Sequence, residues 1–215
     1  LRGKPAKAQA HEQSLREAFD EAIRHKGFLL LTAGFFVCGF HIAFVATHLP
    51  AYVAGLGLPA LVGATALSLV GLFNVVGAFA CGWAGGRVRK KHLLSAIYLA
   101  RAMAIAAMLV APKTELTVYL FAAAFGLMWL GTVPLTSGLV GQIFGARYLA
   151  TLFGMVMLSH QVGAFFGAWL GGLLYDVTGS YDSVWLLAIA LGLLAAALHA
   201  PIPDRPIPRA QPATG

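Results

Sequence analysis

Residues 159–182 read SHQVGAFFGAWLGGLLYDVTGSYD, and the reading of this stretch decides the fold. Gly163, Gly167 and Gly171 recur every fourth residue, so on a helix they line up as a groove without side chains, along which a second backbone can approach closely. Immediately upstream, Ser159, His160 and Gln161 place polar side chains inside an apolar segment. In lipid such groups are retained where a partner, a cavity or a substrate satisfies them. The ridge calls for a packing partner, and the polar step beside it marks a place where something other than lipid is met.

Working outward, composition agrees with a membrane setting. Of the 215 residues 59% are hydrophobic and 11% are charged, and the mean hydropathy is +0.79. A soluble domain of this length needs more charge to cover its surface, and its apolar residues alternate with polar ones instead of running on. Cys38 and Cys81 both lie in apolar runs and read as small packing residues, with no disulfide framework and no metal-ligand spacing. No metal or cofactor site is read from the chain. The fold class is all-α integral membrane.

Six apolar runs, 28–49, 61–85, 93–111, 117–143, 149–174 and 184–200, each come near the ~20 residues that cross ~30 Å of hydrocarbon. Pro50, Pro112, Pro201 and Pro203 punctuate their ends, and Pro134 inside the fourth predicts a kink. The chain divides into a leading segment 1–26, a six-helix bundle 27–200 and a Pro-rich tail 201–215. In the leading segment Ser14 and Glu17 have capping-box spacing, Leu15, Phe19 and Ile23 form a narrow apolar stripe, and Gly27 can end the helix. An amphipathic surface helix is expected there, against the alternative of a loosely ordered linker. The absence of an initiator Met and of a secretory signal makes the chain read as the downstream part of something longer.

Basic residues set the topology. Six fall in the leading segment, Arg87, Arg89, Lys90 and Lys91 follow the second run, Arg147 precedes the fifth, and Arg205 and Arg209 lie in the tail. Of basic residues the alternate loops hold Lys113 alone, and they carry the acidic Glu115, Asp176 and Asp182. By the positive-inside rule both termini are cytoplasmic, and this distribution accounts for the net charge of +7 without nucleic acid.

Several residues offer chemistry. His41 and His48 share a face with Gly34 and Cys38; His41 either lines a water-filled path or bonds a neighbouring helix, and His48 reads as an interface residue. Arg101 is the formal charge deep inside a run, either a structural anchor or a contact for an anion. Asn74, Trp129 and Gln161 are further polar or amphipathic candidates. There is no HExxH, and Thr136, Ser137 and Gly138 lack the first glycine of a GxSG, so no enzyme is read.

Six runs with both ends inside, the basic turn GWAGGRVRKK at 82–91 and the turn LYDVTGSYD at 174–182 resemble the C-terminal half of a major facilitator superfamily transporter. The pattern is most similar to bacterial members of the monocarboxylate transporter and oxalate/formate antiporter group. The resemblance implies helices 7 to 12 of a twelve-helix fold in a bacterial inner membrane, carrying a small organic anion by alternating access, with protons as a coupling partner and the bilayer and an N-terminal six-helix bundle as structural partners. It implies that His41, Asn74, Trp129, His160 and Gln161 line the substrate pathway, with Arg101 on an outer helix, and that Gly82, Arg87, Arg89 and Lys90 belong to a cytoplasmic gate loop. The family has an acidic residue where Gly86 stands and a glycine where Arg89 stands. Gly163, Gly167 and Gly171 are then expected to face the N-terminal bundle. The alternative is a self-contained six-span protein that homodimerises through that ridge into a channel or two-bundle carrier.

Overall fold

A computed structural model describes residues 13–208, and within them all regular structure is α-helical. The helices are α1 (Leu15–Arg24), α2 (Lys26–Gly55), α3 (Ala60–Gly85), α4 (Lys90–Val110), α5 (Glu115–Leu127), α6 (Thr132–Phe144), α7 (Leu149–Thr178) and α8 (Asp182–His199). Six spans are long and apolar enough to cross a membrane, with α5 and α6 together making the fourth. The expected runs are recovered, and the largest difference is at the end of the first. There α2 continues through Pro50 to Gly55. The proline ring packs against α3 at Gly63, and a membrane helix tolerates proline where neighbours support it.

The helix α1 lies in the leading segment. Ser14 and Glu17 form a reciprocal capping box, with Glu17 N donating to Ser14 Oγ at 3.3 Å and Ser14 N to Glu17 Oε2 at 2.7 Å. Ala18 and Ala22 are buried, whereas Leu15, Phe19 and Ile23 stay exposed along the flank. Gly27 does not end this helix. It lies inside α2, where a side chain would meet the ring of His25 and the carbonyl of Pro203.

The bundle is built from three long pairings. α2 lies beside α7 and α3 beside α5 and α6, each pair running in the same direction, while α4 and α8 run in opposite directions. Glycines set the close approaches. A Cβ on Gly163 would sit 2.0 Å from Phe36 O, one on Gly167 2.2 Å from Phe40 O, and one on Gly39 of α2 1.8 Å from His160 O. This corrects the expectation for the ridge. Gly163, Gly167 and Gly171 are buried against α2 of the same chain and are open neither to a second bundle nor to a second copy. The outward face of α7 carries Leu158, Gln161, Val162, Phe165 and Trp169 instead.

At the basic end the segment 201–208 forms a strap. Arg89 donates to Asp204 Oδ1 at 2.6 Å and Oδ2 at 3.0 Å, Lys91 Nζ to Ile202 O at 2.8 Å, Gln142 Nε2 to Asp204 O at 2.7 Å, and Ile207 N to Ile143 O at 3.0 Å. The strap thus ties the α3–α4 turn to the end of α6.

Candidate functional site

The fourth span is interrupted at residues 128–131, between α5 and α6. Pro134 is the cause. It has no N–H for the carbonyl of Leu130, and its ring clashes with that carbonyl, so the helix opens one turn before the proline. The break frees backbone groups that must find partners in a medium without water. Trp129 N turns back to Gly126 O at 2.9 Å and Val133 N to Leu130 O at 3.0 Å. The carbonyls of Met128 and Trp129, which Thr132 and Val133 would take in a continuous helix, are left over, as is the N–H of Leu130.

Side chains from neighbouring helices meet all three. Arg101 of α4 donates from Nε to Met128 O at 3.2 Å and from Nη2 to Trp129 O at 2.6 Å, with Nη2 also bonded to Met128 O. Asn74 of α3 accepts from Leu130 N through Oδ1 at 3.0 Å. Arg101 is fully buried, its guanidinium 5.4 Å from the ring centroid of Tyr98 and 5.7 Å from that of Phe125. Because α4 begins at Lys90, this guanidinium stands on a residue about 17 Å along the helix, in the middle of its 21 residues.

The network continues toward α7 through Cys38 of α2. Cys38 Sγ lies 3.4 Å from Arg101 Nη1 and 3.2 Å from Thr132 Oγ1, and the His160 side chain stands near the thiol. His160 packs on Phe35 with ring centroids 5.1 Å apart, and its Nδ1 is 3.0 Å from Gln161 Oε1. Gln161 is exposed on the outward face of α7, while Asn74 and Trp129 are partly exposed. A row of polar groups therefore leads from the Gln161–His160 pair past Cys38 to Arg101, the break and Asn74. Ser159 stays outside it, donating to Thr32 O at 2.9 Å.

Of the six pathway candidates, this row includes Asn74, Arg101, Trp129, His160 and Gln161. His41 points away from it, with Nε2 at 2.8 Å from the carbonyl of Ala188 on α8. His48 is buried against the glycine ridge, with Nε2 2.8 Å from Ala168 O and Nδ1 3.4 Å from the Tyr181 hydroxyl. Cys38 is more than the small packing residue that its apolar run suggests, since it meets both Arg101 and Thr132. The signal available was its place on the His41 face of α2, but nothing local reports the guanidinium that reaches it from α4.

In the basic turn, Gly82 is exposed with open space around it, and the Arg87 guanidinium lies 3.9 Å from the centroid of the Trp83 ring. Lys90 Nζ donates to Gln142 Oε1 at 3.2 Å. Arg89 finds its carboxylate in the strap. Its two hydrogen bonds hold the Asp204 carboxyl below the usual 3.8.

Comparison with known proteins agrees with this architecture. Residues 3–200 match the family described as uncharacterised MFS-type transporter YbfB, MFS standing for major facilitator superfamily. The chain is 25% identical over 178 residues to the uncharacterized MFS-type transporter YcxA of Bacillus subtilis (strain 168), a match covering 80% of this chain and 42% of that protein. It is 29% identical over 167 residues to monocarboxylate transporter 13 of Rattus norvegicus, covering 77% of this chain and 38% of that one. The Bos taurus monocarboxylate transporter 13 is 27% identical over 187 residues, covering 84% and 43%. The chain thus spans about two-fifths of the length of the curated relatives it matches. With six membrane-spanning helices and a family match over nearly its whole length, the chain belongs to the major facilitator superfamily of transporters, in the YbfB family.

Proposed function

We propose that this chain is one six-helix bundle of a secondary carrier that moves a small organic anion, a monocarboxylate or dicarboxylate, by rocking against a second bundle. The observation that supports it most is the row of polar groups at mid-depth. It begins on the outward face of α7 at Gln161, passes His160, and ends at a broken helix carrying the partly exposed Trp129. Discontinuous helices with polar groups near the bilayer midplane are the usual setting of transported solutes and coupling ions. His160 is the titratable group next to that outward face, and it suits a proton or a carboxylate. Two of the relatives are named as monocarboxylate transporters, which supports the cargo class.

The second bundle would seat on apolar surfaces that stay exposed, Leu72, Val75 and Phe79 of α3 and Leu158, Val162 and Phe165 of α7. The basic end faces the cytoplasm in this reading, in a bacterial inner membrane. No chemical change to the cargo is part of it.

The test is uptake of labelled mono- and dicarboxylates by cells making the full-length protein. His160→Ala and Gln161→Ala are expected to lower uptake by at least tenfold at unchanged protein level, and this chain alone to give none. Full uptake by either variant, or uptake by the isolated chain, would overturn the proposal.

A further inference from the structure

The formal charge in the middle of the bundle is engaged by backbone. A guanidinium presents five N–H groups in a rigid plane, and in Arg101 four have an acceptor: two carbonyls one residue apart take Nε and Nη2, and Cys38 Sγ takes one Nη1 proton. The rings of Tyr98 and Phe125 lie close to the same group. The acceptors are the carbonyls of the residue that caps α5, Met128, and of the residue after it, at the end where the helix dipole presents negative charge, so the cation suits that end on electrostatic grounds as well. Asn74 performs the matching task on the other strand of the break, taking the N–H of Leu130. Between these two residues lies Trp129, whose indole meets Phe125 edge to face at 5.7 Å.

We propose that Arg101 and Asn74 are positioning residues that hold the α5–α6 break in one geometry and so present Trp129 to the transport path, and that Arg101 does not touch the cargo. The presentation of Trp129 rests on the transport reading; the fixing of the break does not. An ammonium cannot reproduce the planar fork, so lysine at this position keeps the charge and loses the geometry. The charge that meets an anion in this half is then that of His160, and Arg101 acts on transport only through the indole.

Two measurements on the full-length protein test this. The first is hydrogen exchange at the amides of residues 128–133. Arg101→Lys and Asn74→Ser are each expected to speed exchange there at least tenfold and to leave the amides of α7 unchanged. Unchanged exchange in the break for the lysine variant overturns the proposal whatever transport shows. The second is a double-mutant cycle on the KM for carboxylate uptake. Arg101→Lys and Trp129→Phe are each expected to raise KM, and the double variant to be no worse than Trp129→Phe alone within twofold. Multiplying effects overturn the proposal, because they mean that Arg101 reaches the cargo independently of Trp129. If the wild type takes up no carboxylate while exchange in the break responds as expected, the anion reading fails and the positioning of the break stands.

Discussion

A methyl group at Gly163 or Gly167 would enter the van der Waals shell of a backbone carbonyl on α2, and backbone cannot swing aside as a flexible side chain can. Gly163→Ala and Gly167→Ala are therefore expected to destabilise by about 1–3 kcal/mol, read as a lower thermal midpoint of the detergent-solubilised protein. Gly55 at the end of α2 has nothing within 4 Å of its would-be Cβ, so Gly55→Ala should be neutral or stabilise by up to about 1 kcal/mol. Equal losses at both kinds of site would mean that the α2–α7 seam is not where the close packing lies. The spacing of these glycines was legible in the sequence, but their neighbour was not. In water an apolar face names the inside of a protein; in lipid both faces of a helix are apolar, so periodicity shows that a groove exists without showing what fills it. The same blindness applied to Cys38 and His41, which share a face of α2 by helical spacing and yet meet different helices, α4 and α8.

Among the elements, the broken fourth span shows how far local chemistry reaches. Pro134 announces the kink, and the clash with the carbonyl four residues earlier places it at residues 128–131. What closes the opened backbone comes from α3 and α4, 56 and 27 residues away in sequence from the groups they cap, and no local signal reports such partners. The strap is similar: composition marks 201–208 as a Pro-rich tail, whereas its carboxylate at Asp204 is buried beneath Arg89. Arg89 itself is largely exposed, so this pair contributes geometry more than energy. Its pH dependence has a definite sign. The Asp204 carboxyl is held below its usual range, so the bridge is complete above that range and is lost as pH falls through the lowered value. Amide exchange at 202–207, corrected for the intrinsic rate, should stay slow above about pH 5 and accelerate below about pH 4. Asp204→Asn should exchange fast at every pH, and a pH-independent wild type would remove the bridge as the cause.

For the whole molecule, the six spans, their order and the asymmetry of charge were legible because hydrocarbon thickness and the cost of burying charge act on any sequence. The pairing of spans was not, since apolar runs carry no address. The charge asymmetry makes an orientation testable. Single cysteines at Gly57, Lys113 or Ser180 should react with an impermeant maleimide added outside intact cells, above the background of Cys38 and Cys81, and cysteines at Arg87 or Arg147 should not. The reverse pattern would invert the molecule. The same-direction pairing of α2 with α7 also bears on how the chain is made. At about 5–20 residues per second, the helix carrying Gly163 leaves the ribosome roughly 6–25 s after the groove at Gly39 that receives it. During that interval the first span is a scaffold without its closest neighbour, its groove lined by lipid chains that the fifth span must displace. Biogenesis of this half is thus a matter of waiting, and a mutation that slows the arrival of α7 would act on yield before it acts on any property of the finished protein.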